Sequence, residues 1–428
     1  MGDENLDFTI QKLGQCLIPS PMAGVPFIPD SAHVLYGSDI GRIKEFLDAG
    51  REPPQMEIAG PREEIFFDPS RLACGIVTCG GICPGINDVV RAIVLSLHYH
   101  YGVTKVFGFR FGYEGLVPKY GHEPLELTPE AVKNIHQKGG TILASSRGPQ
   151  DVAEMVNTLE RMGIGILFVI GGDGTLRGAQ AIAGEVERRG LEIAVIGIPK
   201  TIDNDIAYVQ ETFGFETAVT ETRASLYAAY VEATGAWNGI GLVKLMGRQS
   251  GFISAYATLA NSNVSFCLVP EVPFTLEGFL CALGERLSKR GHALVVAAEG
   301  AGQDIVGEAL GRDASGNVRL GDIGIFLRDR IRQHFGKAGA EVNLKYIDPS
   351  YTIRSVPANV RDSALCLLLG QRAVHAGMTG RTNMVVSVWR AEFTHVPIPL
   401  AVSLRKRIDP EGWLWAAVLS STGQPKNM

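Results

Sequence analysis

Along the middle of the chain, short runs of apolar residues, each about one strand long, alternate with stretches in which apolar positions recur every three or four residues. Leu72-Ala73-Cys74-Gly75-Ile76-Val77 has the unbroken apolar character of a strand buried on both faces, and a helix is expected from about Asn87, with Val90, Ile93, Val94 and Leu97 on one face. Val152, Met155, Val156 and Leu159 repeat the helical spacing just before a second strand, Ile166 to Ile170, and a helix after Gly178 leads to a third, Ile193 to Ile198. Such alternation predicts an α/β fold whose mostly parallel sheet is covered on both faces, with ligands outside the carboxyl ends of its strands.

A long helical stretch from Phe213 to Ala233 breaks the rhythm, which resumes with strands near Gly239 to Leu245, Phe266 to Val269 and Ala293 to Ala298. A second α/β domain follows from that break. Helices at Asp322 to Gln333 and Val360 to Ala376, then a strand at Met384 to Val388, complete the body. Residues 1 to about 70 are rich in proline and glycine and carry one short helical candidate, Asp39 to Leu47; a wrap over a neighbouring domain or subunit and a mobile arm fit them equally well. After Thr394 come strand-like pieces and the basic cluster Arg405-Lys406-Arg407, read as a solvated face. The expected organisation is an N-terminal extension over 1–70, a first domain over 71–213 rejoined by about 353–395, a second domain over 214–352, and a tail over 396–428.

Composition narrows the class of protein. At 428 residues the chain exceeds one comfortable core, and its 46% hydrophobic content and 51 glycines suit a globular strand-turn-helix protein. A net charge of -5 gives no global reason to expect nucleic acid or an anionic membrane as partner. The seven cysteines contain no CxxC pair, which points to free thiols in a reducing compartment. With no leader-like start and no apolar run of bilayer length, the expectation is a soluble cytoplasmic protein.

Candidate chemistry gathers where strands end. Leu167 to Ile170 runs into Gly171-Gly172-Asp173-Gly174-Thr175, and a helix beginning near Thr175 would turn its positive end toward a phosphate approached closely by glycine backbone. Asp173 would repel a bare phosphate, so its fitting task is to hold magnesium; a purely structural turn competes with this reading. Thr78-Cys79-Gly80-Gly81-Ile82-Cys83-Pro84-Gly85 is a second glycine-rich loop opening a helix, and Arg147 follows a third apolar run. Pro199-Lys200-Thr201-Ile202-Asp203-Asn204-Asp205 brings together one ammonium, one hydroxyl and two carboxylates. That set suits phosphoryl transfer, in which one carboxylate accepts a hydroxyl proton and cations offset charge, although a locally capped turn has the same composition. There is no GxxxxGK[ST], which excludes the ordinary P-loop.

From about Leu72 to Arg372 these motifs, in this order, together with Met246-Gly247-Arg248, Glu299, and Tyr351 with Arg354, resemble the 6-phosphofructokinase family. The resemblance implies two Rossmann-like three-layer domains, the first binding the donor nucleotide and the second the sugar phosphate. It implies transfer of a terminal phosphoryl to the C1 hydroxyl of fructose 6-phosphate in glycolysis, by an allosteric, cytoplasmic homo-oligomer, a dimer or a tetramer. Carried over by position, Asp203 is the base, Asp173 the magnesium ligand, and Lys200, Thr201 and Arg248 assist the moving phosphoryl. Gly81, Arg147, Gly148, Gly172, Gly174, Thr175 and Gly178 line the donor site. Asp205, Met246, Gly247, Arg248 and Glu299 hold the sugar, and Tyr351 and Arg354 its 6-phosphate. Lys200 and Tyr351 replace a glycine and a histidine of short bacterial members, and both changes resemble the long-chain plant and protist branch as well as the pyrophosphate-dependent branch. Gly239 stands where bacterial members carry a cross-subunit arginine, with Lys345 as a candidate replacement.

The residue after Gly-Gly-Asp separates donors. Pyrophosphate users of the family carry aspartate there, where its bulk and charge occupy the place of a nucleotide α-phosphate; Gly174 leaves room for ATP. The alternatives are a pyrophosphate-dependent enzyme, a catalytically silent regulatory homologue, and an NAD-dependent oxidoreductase. The last requires an acid at the end of the next strand, where this chain has Lys200.

Overall fold

The apolar runs of the sequence become strands of two mostly parallel sheets. In a computed structural model describing residues 6–307, 311 and 318–428, the chain divides into two compact units. The first comprises Met1–Thr201, Ile206–Gly214 and Pro357–Leu404, the second Ile202–Asp205, Phe215–Val356 and Arg405–Met428.

The first unit opens with four short strands and a helix, β1 (Ile18–Pro19), β2 (His33–Leu35), α1 (Ile40–Asp48), β3 (Gln55–Glu57) and β4 (Glu64–Ile65). Its body follows as β5 (Ala73–Thr78), α2 (Ile86–Tyr101), β6 (Lys105–Phe109), β7 (Leu125–Glu126), α3 (Val152–Arg161), β8 (Ile164–Gly171), α4 (Asp173–Arg188) and β9 (Ala194–Pro199). It closes with α10 (Val360–Met378), β14 (Met384–Trp389), β15 (Glu392–Pro397) and α11 (Ile398–Ala401). A seven-stranded sheet runs β15-β14-β9-β8-β5-β6-β7, with β15 and β7 antiparallel at the edges and parallel strands inside. Register decides what happens at its carboxyl edge: Thr78 lies opposite Ile170 and Gly171 opposite Pro199, so the loops leaving β5, β8 and β9 emerge side by side. Between β5 and β8 the strand order reverses, the position where α/β sheets bind ligands.

The second unit is built from α5 (Phe215–Thr234), β10 (Gly239–Leu245), α6 (Phe252–Leu259), β11 (Phe266–Leu268), α7 (Leu276–Arg290), β12 (His292–Ala298), α8 (Gln303–Val306), α9 (Ile323–Lys337), β13 (Asn343–Ile347) and α12 (Trp413–Thr422). Its four strands are all parallel, in the order β11-β12-β10-β13. Leu242, Phe266, Phe279, Leu283, Val295 and Leu327 belong to its own buried core, as Val77, Leu167, Val169, Leu176 and Val195 do in the first unit.

Several expectations need correction. Of the two readings of the N-terminal extension, the wrap holds and the mobile arm does not: Phe8 and Met56 lie in the core of the first unit, and Tyr36 stacks on Trp389 with ring centroids 5.1 Å apart. Buried Glu57 accepts hydrogen bonds from Arg381 Nε at 3.0 Å and His395 Nδ1 at 2.8 Å, a pairing that offsets the cost of burying its charge. The C-terminal segment is divided rather than free, since 405–428 counts with the second unit and its apolar run Trp413–Thr422 is helical, not strand-like. The third apolar run, before Arg147, forms no strand. Among the described residues no helix is long and apolar enough to cross a membrane.

Candidate active site

On the first unit, three loops converge because their strands are neighbours. α4 begins at Asp173, two residues earlier than expected, so Asp173 occupies the first helical turn, where the dipole favours an anion. Gly171 has no room for a side chain, since a Cβ there would fall 2.3 Å from Thr175. That close approach turns the chain sharply into α4. Tyr113 donates a hydrogen bond to the Thr175 carbonyl at 2.6 Å, and its ring lies against Gly178. Lys200 Nζ crosses from the end of β9 to donate to the Gly81 carbonyl at 2.6 Å. Lys200 Nζ and Thr175 Oγ1 stand 3.7 and 3.8 Å from where a Cβ on Gly80 would be. An ammonium and a hydroxyl therefore meet at one glycine turn.

The segment bearing Arg147 and Gly148 reaches the same place by hydrogen bonds. Gly80 N donates to the Ser146 carbonyl at 3.1 Å and Ser145 Oγ to the Gly80 carbonyl at 2.7 Å. Arg147 itself is exposed. Asp173 pairs with Arg177 at 3.2 Å, and Gly174 beside it is exposed, with open space where its Cβ would stand. Among the described residues no group of three or more His, Cys, Asp or Glu forms a metal cage. Asp173 could supply one carboxylate to a magnesium ion, a hard cation that also takes phosphate oxygens.

The second unit carries the other group. Leu245 lies opposite Ala298 in the β10–β12 pairing, so the loop Met246–Arg248 emerges beside Glu299. Backbone bonds fasten the two together: Glu299 N donates to the Leu245 carbonyl at 2.8 Å and Gly300 N to the Gly247 carbonyl at 3.1 Å. Gly247 has φ +126, a conformation that disfavours any side chain. Glu299 is pulled above the ordinary carboxylate range by burial, against the opposing charges of Arg248, Lys244 and Arg354. Lys244 bridges Asp322 and Asp348, each at 2.8 Å, and Arg354 stands 5.1 Å from the exposed Tyr351 ring. Arg248 Nη2 is buried and has no hydrogen-bond partner among the described residues.

The loop after β9 passes from one unit to the other. Lys200 and Thr201 count with the first and Ile202–Asp205 with the second. Thr201 is held through its carbonyl, which accepts from Thr212 Oγ1 at 2.7 Å. Asp203 has one carboxylate oxygen buried. Its proton affinity is raised well above the usual range, by burial first and then by Asp205 and Glu299, while Arg405 and the Arg248 backbone N–H oppose the shift. One expected residue lies elsewhere on the second unit, and one was missed. Lys345, expected as a cross-subunit contact, is exposed within β13, opposite Gly241. Arg405, read as part of a solvated face, donates to Asp205 Oδ2 at 2.5 Å. Nothing local in the sequence signals that pair, because the partners lie 200 residues apart.

Comparison with known proteins gives a consistent result. A family profile described as Phosphofructokinase matches residues 73–377. The ATP-dependent 6-phosphofructokinase of Borreliella burgdorferi is 46% identical over 100% of this chain and 98% of its own length. The protein of the same name from Trypanosoma cruzi is 48% identical over 88% of this chain and 78% of its own. Among solved structures, the pyrophosphate-dependent phosphofructokinase of Nitrosospira multiformis superposes with a TM-score of 0.69 at 17% identity, over 83% of this chain and 92% of that one, a likeness of fold.

Proposed function

The chain belongs to the phosphofructokinase family, and from that premise we propose that it is an ATP-dependent 6-phosphofructokinase, moving the γ-phosphoryl of ATP to the C1 hydroxyl of fructose 6-phosphate in glycolysis. The observation that carries this reading is Asp203, a part-exposed carboxylate on the loop after β9 whose proton affinity is raised by burial and by the neighbouring charges of Asp205 and Glu299, as suits a general base. On the first unit, Gly81, Arg147, Gly148, Gly172, Gly174, Thr175 and Gly178 receive the donor, and Lys200 offers a charge to its phosphates. Open space at Gly174 favours a nucleotide over pyrophosphate, because nothing there opposes an α-phosphate. Asp173 would hold magnesium together with the donor's phosphate oxygens, and the ion would offset negative charge on the phosphoryl in transit.

On the second unit, Met246, Gly247 and Glu299 orient the sugar, and Tyr351 and Arg354 bind its 6-phosphate. Asp203 takes the proton from the C1 hydroxyl as that oxygen attacks phosphorus and the bond to the ADP oxygen breaks. Arg248 has a buried donor awaiting an acceptor, and an oxygen of the phosphoryl supplies one. Thr201 and Asp205 flank the base and steady the groups around it. A cytoplasmic homo-oligomer, dimer or tetramer, completes the proposal. Asp203→Asn keeps the side-chain shape and removes the base, so turnover in a folded variant is expected to fall roughly 10²- to 10⁴-fold with little change in the Michaelis constants. Wild-type turnover in that variant would remove Asp203 from the mechanism.

A further inference from the structure

The C-terminal segment of the second unit lays a strap across the loop that carries Asp203. Arg405 reaches the carboxylate of Asp205, whose side chain is 7% exposed, and Lys406 N donates to the Asp205 carbonyl at 3.0 Å. Lys406 Nζ donates to Asn204 Oδ1 at 2.9 Å, and Asn204 is a non-glycine residue held at φ +51. Three contacts thus fix two consecutive residues next to the base. The strap is itself anchored to the sugar loop. Ser250 Oγ donates to the Lys406 carbonyl at 2.6 Å, and Glu271 accepts from Ile408 N at 3.0 Å and from Gly251 N at 2.9 Å. One carboxylate therefore joins the strap to the segment that follows Arg248.

We propose that Arg405 is a positioning residue for phosphoryl transfer: it clamps Asp205, and through the shared backbone it sets the place and proton affinity of Asp203, with Lys406 fixing Asn204 between them. The physical need is plain. Asp203 and Asp205 are two carboxylates one residue apart, and Glu299 adds a third negative charge; without a cation among them the base would hold its proton too tightly to act. The charged groups facing Asp203 are Asp205 and Glu299 on one side of the balance and Arg405 on the other, helped by the Arg248 backbone N–H, while the charges of Arg248, Lys244 and Arg354 act on Glu299. Arginine suits the task because its charge persists at every working pH and its planar head holds a carboxylate in a fixed direction.

The proposal rests on the assignment of Asp203 as base, and the full-length chain tests the two separately. Wild type is assayed first with fructose 6-phosphate, ATP and magnesium across pH; absence of turnover would overturn the assignment and the positioning role with it. In an active enzyme, Arg405→Ala is expected to lower kcat roughly 10- to 100-fold, to leave the Michaelis constants for both substrates within about threefold, and to move the acid limb of kcat upward by about one pH unit. Arg405→Lys keeps the charge and loses the planar contact, so its acid limb stays near that of wild type while kcat is intermediate. An unchanged kcat in Arg405→Ala overturns the proposal, and so does a fall in kcat with the acid limb in place, the mark of a merely structural contact. Should the alanine variant fail to fold, the lysine variant decides: an acid limb displaced upward despite the retained charge contradicts the assigned role.

Discussion

A carboxylate added at Gly174 would stand in open space in the first turn of α4, one residue from Asp173. A Cβ there meets no protein atom within 4 Å, so the effect of the change falls chiefly on whatever binds there. At about 4 Å from a phosphate oxygen the added charge costs on the order of 4 kcal/mol at an effective dielectric near 20, part of which magnesium offsets. Gly174→Asp is therefore expected to depress ATP turnover strongly and pyrophosphate turnover much less, and the ratio of the two rates before and after the substitution checks it. An unchanged ratio would mean that Gly174 does not set donor choice. At this scale the sequence was legible where chemistry is local, as in the glycines around Asp173 or the pair Asp203 and Asp205. Partnerships across the chain were not: Arg405 on Asp205, Lys200 on the Gly81 carbonyl and Arg381 on Glu57 each join residues more than 100 positions apart, and no spacing rule reaches them.

Among the elements, the paired helices α2 and α10 carry a titration the chemistry does not use. Tyr101 on α2 hydrogen-bonds His375 Nδ1 on α10 at 2.8 Å, and burial, with Arg372 and His100 nearby, lowers the His375 pKa to about 3. A histidine whose folded pKa lies below its unfolded value of about 6.5 leaves the unfolded chain binding more protons between those limits. Stability therefore rises with pH across that window and is lost as pH falls from about 6.5 toward 3, by up to about 1.4 kcal/mol per pH unit from this one group. Denaturant titrations of wild type and His375→Phe at pH 7 and pH 5 test it: the gap between the two pH values is expected to shrink in the variant. The elements themselves followed the hydrophobic period wherever it was strong, as in β8 and α3. It misled where period was weak, since the run Trp413–Leu419 is apolar throughout and reads equally as strand or buried helix. β6, only five residues long, and the half-exposed β13, Asn343–Ile347, were too short or too mixed to stand out.

For the whole molecule, alternation of strand and helix was sufficient to indicate two mostly parallel α/β sheets and the passage between units near 214 and 356, but where the two ends of the chain belong was not written in the local pattern. The proline-rich start joins the first unit through anchors such as Phe8, Tyr36 and Met56, which follow no period because the intervening chain is irregular. The final residues join the second because Gln424 bonds the Cys267 backbone, its side-chain oxygen accepting from Cys267 N at 2.7 Å, and because Thr275 N donates to the Met428 carbonyl at 2.8 Å. The central claim is that this fold presents an ATP-specific phosphoryl donor site and a basic carboxylate for the C1 hydroxyl of fructose 6-phosphate. Its most direct test is the steady-state rate of fructose 1,6-bisphosphate formation by the purified full-length chain with magnesium, measured with ATP and with pyrophosphate as the only donor. The account predicts turnover with ATP on the order of 1–100 s⁻¹, the range usual for kinases, and little or none with pyrophosphate. Faster turnover with pyrophosphate, or no product from either donor, would contradict it.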